Sequence, residues 1–96
     1  MHFVVIAYDG TDGQALERRM KAREAHLAGA KKMKEQGTML MGGAMLDDAG
    51  KMIGSVMVVD YPDRAAVDAW LKADPYTTGD VWRKIEVRPY RVAGLS

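Results

Sequence analysis

The residues of this chain best suited to proton chemistry are His26 and Asp74. His26 is one of two histidines, and the other, His2, stands beside the first methionine. Imidazole is the side chain that titrates near neutrality unperturbed, so His26 is the natural general base. Asp74 precedes Pro75 and Tyr76. An aspartate that meets an imidazole N–H fixes its tautomer and raises its basicity. Asp before Pro is also a common start for a type I turn, the side chain bonding backbone downstream. A carboxylate at a helix C-terminus faces the negative end of the dipole, a cost that a histidine N–H would offset. Arg23 can hold a ligand carboxylate through two parallel bonds, or pair with a carboxylate of the chain itself. Ser55, beside Gly54, and the Tyr76 hydroxyl can donate to a ligand, although small residues and a tyrosine after a helix also serve packing. The candidate site is therefore His26 and Asp74 as the catalytic pair, with Arg23, Gly54, Ser55 and Tyr76 around a small-molecule substrate.

Other chemistries fit poorly. The 96 residues contain no cysteine, which removes disulfides, thiolate metal sites and cysteine nucleophiles. Two histidines without shared local spacing make a weak metal-ligand set, and no metal or cofactor is expected. Ser55 lies in no nucleophile-elbow pattern, and the glycines form neither standard phosphate-cradling loop. The net charge is +1, with lysine and arginine scattered among acids, so nucleic acid is not an expected partner. No apolar run approaches the roughly 18 residues that span a membrane. The first strand pattern begins at residue 2 and leaves no room for a signal peptide, so the expected location is the cytoplasm.

The length suits one domain over residues 1–96. His2 to Tyr8 reads as a strand with two apolar faces, hence central in its sheet. A helix follows from about Gly13 to Gln36, with Thr11 and Gln14 spaced as a capping box and Asp12 as an alternative cap. Leu16, Met20, Leu27 and Ala30 form its apolar stripe, Arg23 falls near the stripe's centre, and His26 lies on its flank. Gly29 beside His26 costs roughly 1 kcal/mol of helix propensity, which suggests that something must lie close there. Thr38 to Leu46 is a second strand softened by Gly42-Gly43, and Asp47 to Gly50 is a hairpin turn. Lys51 to Asp60 is a third strand, again apolar on both faces. Pro62 and Asp63 open a second helix, which presents Val67, Trp70 and Leu71 inward and must stop by Asp74 before Pro75. Pro75 to Gly79 reads as a loop, and Trp82 to Val92 as a last strand that Pro89 confines to an edge.

This order, β-α-β-β-α-β, is that of a ferredoxin-like α+β fold: a four-stranded antiparallel sheet with two helices on one face. The first and third strands are then central, in agreement with their two apolar faces. Two helices cover one face only. An uncovered apolar face of several hundred square ångströms exceeds what a monomer usually exposes, so a homodimer through the open sheet face is expected.

Arg23-Glu24-Ala25-His26-Leu27, Gly54-Ser55, Ala73-Asp74-Pro75-Tyr76 and Val87-Arg88-Pro89-Tyr90, taken in order, resemble the YCII-related (YciI-like) family over nearly the whole chain. The resemblance implies a dimeric α+β barrel of ferredoxin-like subunits with a site centred on a histidine and an aspartate, carried here by His26 and, through the Asp-Pro-Tyr motif, Asp74. Two departures stand out. Glu24 replaces the proline of Arg-Pro-Ala-His, and Gly43-Ala44 replaces a Gly-Pro. One relative implied by this likeness is a dehydrochlorinase of a chlorinated hydroxyquinol, and the wider superfamily includes muconolactone isomerases and cofactor-free monooxygenases. The implied function is a cofactor-independent lyase or isomerase using a His/Asp dyad. The alternatives are a non-catalytic metabolite-binding dimer and a cofactor-free monooxygenase.

Overall fold

The computed structural model describes residues 1–94. Its elements are β1 (His2–Asp9), α1 (Ala15–Glu35), β2 (Met39–Leu46), β3 (Met52–Asp60), α2 (Arg64–Ala73), α3 (Pro75–Thr78) and β4 (Trp82–Tyr90). The four strands pair antiparallel in the order β2-β3-β1-β4, so β1 and β3 are central and the proline-bearing β4 is an edge. This is the ferredoxin-like α+β fold expected from the element order. Among the described residues no helix is long and apolar enough to cross a membrane.

Strand alternation decides what each face carries. Phe3, Val5, Ala7 and Asp9 of β1 are buried, as are Ser55, Met57 and Val59 of β3. Together with Val67, Leu71, Tyr76, Val81 and Trp82 they make up most of the core between sheet and helices. Ile6 pairs with Val56 and Glu86, and Val4 with Val58 and Arg88, on the opposite face. Lys84 sits 5.5 Å over the Tyr8 ring on that same face. The open face is thus apolar along β1 and β3, with a charged border on β4.

Local chemistry explains the turns. Asp47 Oδ1 accepts from the N–H groups of Ala49 and Lys51, both at 2.9 Å, and Gly50 takes the left-handed conformation at φ 85°. Asp63 caps α2 by accepting from Ala66 N–H at 2.9 Å. Gly54 is required by close approach: a Cβ there would lie 2.5 Å from the Ala7 carbonyl oxygen.

Three expectations change. The inward line of α1 is Ala15, Arg19, Ala22, His26, Ala30 and Met33, whereas Met20 and Leu27 are 50% and 45% exposed. A search for the apolar stripe finds the neighbouring line, about 100° round the helix, because the buried line carries two polar residues. Each is compensated by a carboxylate from elsewhere in the chain, which helix periodicity does not reveal. Residues 75–78 form a helical turn rather than a loop, since Pro75 suits a first helical position and Asp74 caps it. Finally, β4 ends at Tyr90, two residues short of the expected Val92, where pairing with β1 runs out at His2.

Candidate functional site

His26 faces inward from the middle of α1, and Asp74 ends α2. Helix packing brings them together across 48 positions, with His26 Nδ1 2.8 Å from Asp74 Oδ1. Both residues are 7% exposed. The same Asp74 oxygen accepts from Tyr76 N–H at 2.9 Å, capping α3. The two readings of Asp74, turn starter and histidine partner, therefore coexist in one carboxylate. An ionised carboxylate only accepts, so Nδ1 is the donor of this bond, and Nε2 is left as an acceptor whenever the ring is neutral.

Asp74 places Tyr76 as well as His26. The Tyr76 ring stacks on the imidazole, centroids 3.9 Å apart and planes 11° from parallel. Trp82 meets both rings edge-on, at 5.6 and 5.4 Å. The guanidinium carbon of Arg19 lies 4.7 Å from the Tyr76 centroid. Burial pushes the Tyr76 phenol above its ordinary pKa, although the charges of Arg19 and Arg23 oppose this. Tyr76 is thus a protonated hydroxyl at neutral pH.

Arg19 anchors a buried polar layer beneath these rings. One of its nitrogens lies 3.1 Å from each carboxylate oxygen of Asp9, and another donates to Ser55 Oγ at 3.0 Å. Trp82 Nε1 donates to the same Ser55 oxygen at 3.1 Å. A serine oxygen that accepts twice still has its own proton to give. Burial raises the pKa of Asp9, and the adjacent Arg19 charge and hydrogen bond resist the rise.

Beside this layer opens a cavity of about 410 Å³, within the range of small-molecule sites. His26, Ser55, Tyr76 and Arg23 line it, with Met39, Met41, Met52 and Met57 as much of the apolar wall. The structure thus places five of the six expected site residues at or directly behind one cavity. Gly54 stands apart, packed against β1 on the other face of the sheet. Gly29 is exposed, with open space beside it rather than a ligand pocket.

Sequence reasoning missed Arg19, Asp9 and Trp82. A signal existed for the first two. Asp9 continues the Phe3, Val5, Ala7 line of β1, and Arg19 continues the Ala15, Ala22, His26 line of α1. Opposite charges on two inward lines are candidates to meet. Among the described residues no cluster of three or more histidine, aspartate or glutamate side chains is arranged to hold a metal.

A family model of the YCII-related domain matches residues 1–91. The chain belongs to the YCII-related family. It is 32% identical over 97 residues to protein YciI of Escherichia coli O6:H1, a match covering 95% of this chain and 97% of the relative. An uncharacterized protein of Haemophilus influenzae is 28% identical over the same shares of both chains. Among solved structures, this YCII-related chain is similar to 5-chloro-2-hydroxyhydroquinone dehydrochlorinase (TftG) of Burkholderia phenoliruptrix, solved with 2,5-dihydroxybenzoquinone. That match has a TM-score of 0.83 and 24% identity, over 95% of this chain and 94% of the other. A dimeric ferredoxin-like protein from Jannaschia matches with a TM-score of 0.53 and 17% identity, over 95% and 98% of the two chains. At such identities these likenesses speak to the fold.

Proposed function

We propose that this protein is a cofactor-independent lyase or isomerase acting on a small cyclic or phenolic compound. The observation that carries the proposal is the 2.8 Å contact between His26 and Asp74 beside the cavity. Asp74 holds the Nδ1 proton, which leaves Nε2 to take a proton from the ligand. In a lyase that electron pair then expels a leaving group from the neighbouring atom. In an isomerase the proton returns from Nε2 to a different atom of the ring system. Arg23, Ser55 and Tyr76 hold polar substituents of the ligand. The similarity to TftG supports this chemical class, and TftG itself is a dehydrochlorinase.

The test is turnover on halogenated hydroquinones and unsaturated lactones. A well-placed general base contributes about 10²–10⁴-fold, so His26→Ala should reduce the rate by that order. Asp74→Asn retains an oxygen for the Tyr76 N–H while removing the anion that sets the imidazole tautomer. It should lower the rate without unfolding the chain, and the ¹⁵N shifts of His26 should report proton transfer to Nε2. Unchanged turnover in both variants would dispose of the assignment.

A second reading is favoured by the bond from Tyr76 N–H to Asp74, which gives the carboxylate a purely structural task. The protein would then bind a metabolite without converting it, and His26→Ala would change affinity alone.

We also propose that two copies pack through the open sheet faces, as the apolar surface of β1 and β3 and the dimeric relative from Jannaschia suggest.

A further inference from the structure

The cavity wall is electrically one-sided. Arg19, Arg23, Lys31 and Lys34 all line it, and among the described residues no aspartate or glutamate does. The chain has 13 acidic residues, so their absence from this wall is not forced by composition. Two buried carboxylates stand behind lining residues: Asp9 behind Arg19, and Asp74 behind His26.

What sets Arg23, Lys31 and Lys34 apart from other cations unpaired among the described residues, such as Lys21, Lys32, Lys51, Lys72, Arg88 and Arg91, is that they line the cavity. Arg18, Arg19, Arg64, Arg83 and Lys84 each have a carboxylate within 4.0 Å. Among the described residues Arg23, Lys31 and Lys34 have none. They follow one another along the cavity side of α1, so three uncompensated charges rim one mouth. Deeper in, the 97%-buried Arg19 is paired with Asp9, yet its Nε–H has no acceptor among the described residues. Opposite these charges the wall is soft and apolar, built from four of the eight methionines. Thioethers fit a flat ring of variable outline better than a fixed shape.

We infer that the ligand of this cavity carries a carboxylate on a compact apolar ring, the carboxylate received by Arg23 and the lysines and the ring lying on the methionines. The inference rests on the cavity being the functional site, as proposed above, and narrows its substrate class to anions. Arg23 supplies the planar fork that matches a carboxylate, and Lys31 and Lys34 supply point charge that draws anions to the mouth. The reacting part of the ring is left toward His26 Nε2 and the Ser55 and Tyr76 hydroxyls.

The experiment compares benzoate with benzamide, which have the same outline and differ in charge. Binding is followed through the methyl resonances of the cavity methionines and the ring resonances of His26. Benzoate should bind at least tenfold more tightly, and that preference should shrink with added salt. Arg23→Gln and Lys34→Gln, both on exposed positions, should each reduce it severalfold. Equal or tighter binding of benzamide, with the same resonances moving, would overturn the anion preference and leave the cavity as a site. Failure of benzoate to saturate at millimolar concentration would also overturn the preference, and the His26→Ala turnover measurement stands independently of it. Binding of both compounds with no movement at His26 would remove the site reading itself.

Discussion

The contact between Arg19 and Asp9 shows how much a single buried pair controls at this site. Its nitrogen lies 3.1 Å from both carboxylate oxygens, and the same side chain supports the Tyr76 ring and Ser55. Breaking a buried pair from one side leaves an uncompensated charge, which costs about 3–5 kcal/mol. Arg19→Met should therefore destabilise the protein by that amount at neutral pH. The sign of the pH effect follows from Asp9. Burial already raises its pKa above 3.8, and the variant removes the influences that resist the rise. A raised folded pKa means stability that is present below the unfolded pKa and lost as pH climbs through the folded value. The variant should thus regain stability relative to the unaltered protein as the pH falls from neutrality through the raised pKa of Asp9 toward its ordinary 3.8. Urea midpoints at several pH values measure this, and parallel curves for the two proteins would refute it. The only sequence signal for the pair was that each continues an inward line of its element, because an arginine in a helix and an aspartate ending a strand are each ordinary on a surface.

At the scale of elements, two glycines make opposite demands. Gly54 sits where β3 passes β1, and the obstacle to a Cβ is the backbone oxygen of Ala7, which cannot swing aside as a side chain would. Gly54→Ala should part the two central strands and cost about 1–3 kcal/mol, the range for overpacking in a filled core. Gly29 lies in α1 with open space around it. Gly29→Ala should stabilise the helix by up to about 1 kcal/mol and leave ligand binding intact. Thermal midpoints of the two variants should move in opposite directions. A destabilised Gly29→Ala would mean that the helix presents a different face from the one described. The same rotation of α1 explains why its boundaries were legible from Gly37 and the chain break near residue 12, while its buried face was not. Helix ends are set by local backbone chemistry, but the face that turns inward is chosen by what waits there. In this helix that is Asp9, Asp74 and Tyr76 as well as the apolar core against which Ala22, Ala30 and Met33 pack.

At the scale of the whole molecule, the sheet leaves Val4, Ile6, Val56 and Val58 on the face away from the helices. A second copy is the proposed cover. Ile6→Lys places a charge at the centre of that face, directly between Val56 and Glu86. The unaltered protein should sediment as a dimer at micromolar concentration and the variant as a monomer with its secondary structure retained. A monomeric unaltered protein would remove the proposed interface.

The sequence by itself determined the order of elements, the ferredoxin-like sheet and its central strands. Strand and helix signals are local, and two-faced apolar strands have one comfortable place in a four-stranded sheet. It also singled out His26 and Asp74, because few side chains in this chain can do proton chemistry. Only the tertiary structure decided that the two meet at 2.8 Å and that Tyr76 stacks on the imidazole. It also decided that Arg19 rather than Arg23 is the buried arginine, with Arg23 left at the cavity mouth. Those outcomes depend on contacts between different elements, from 10 positions apart for Asp9 and Arg19 to 48 for His26 and Asp74, where small rotations of one helix exchange a buried line for an exposed one.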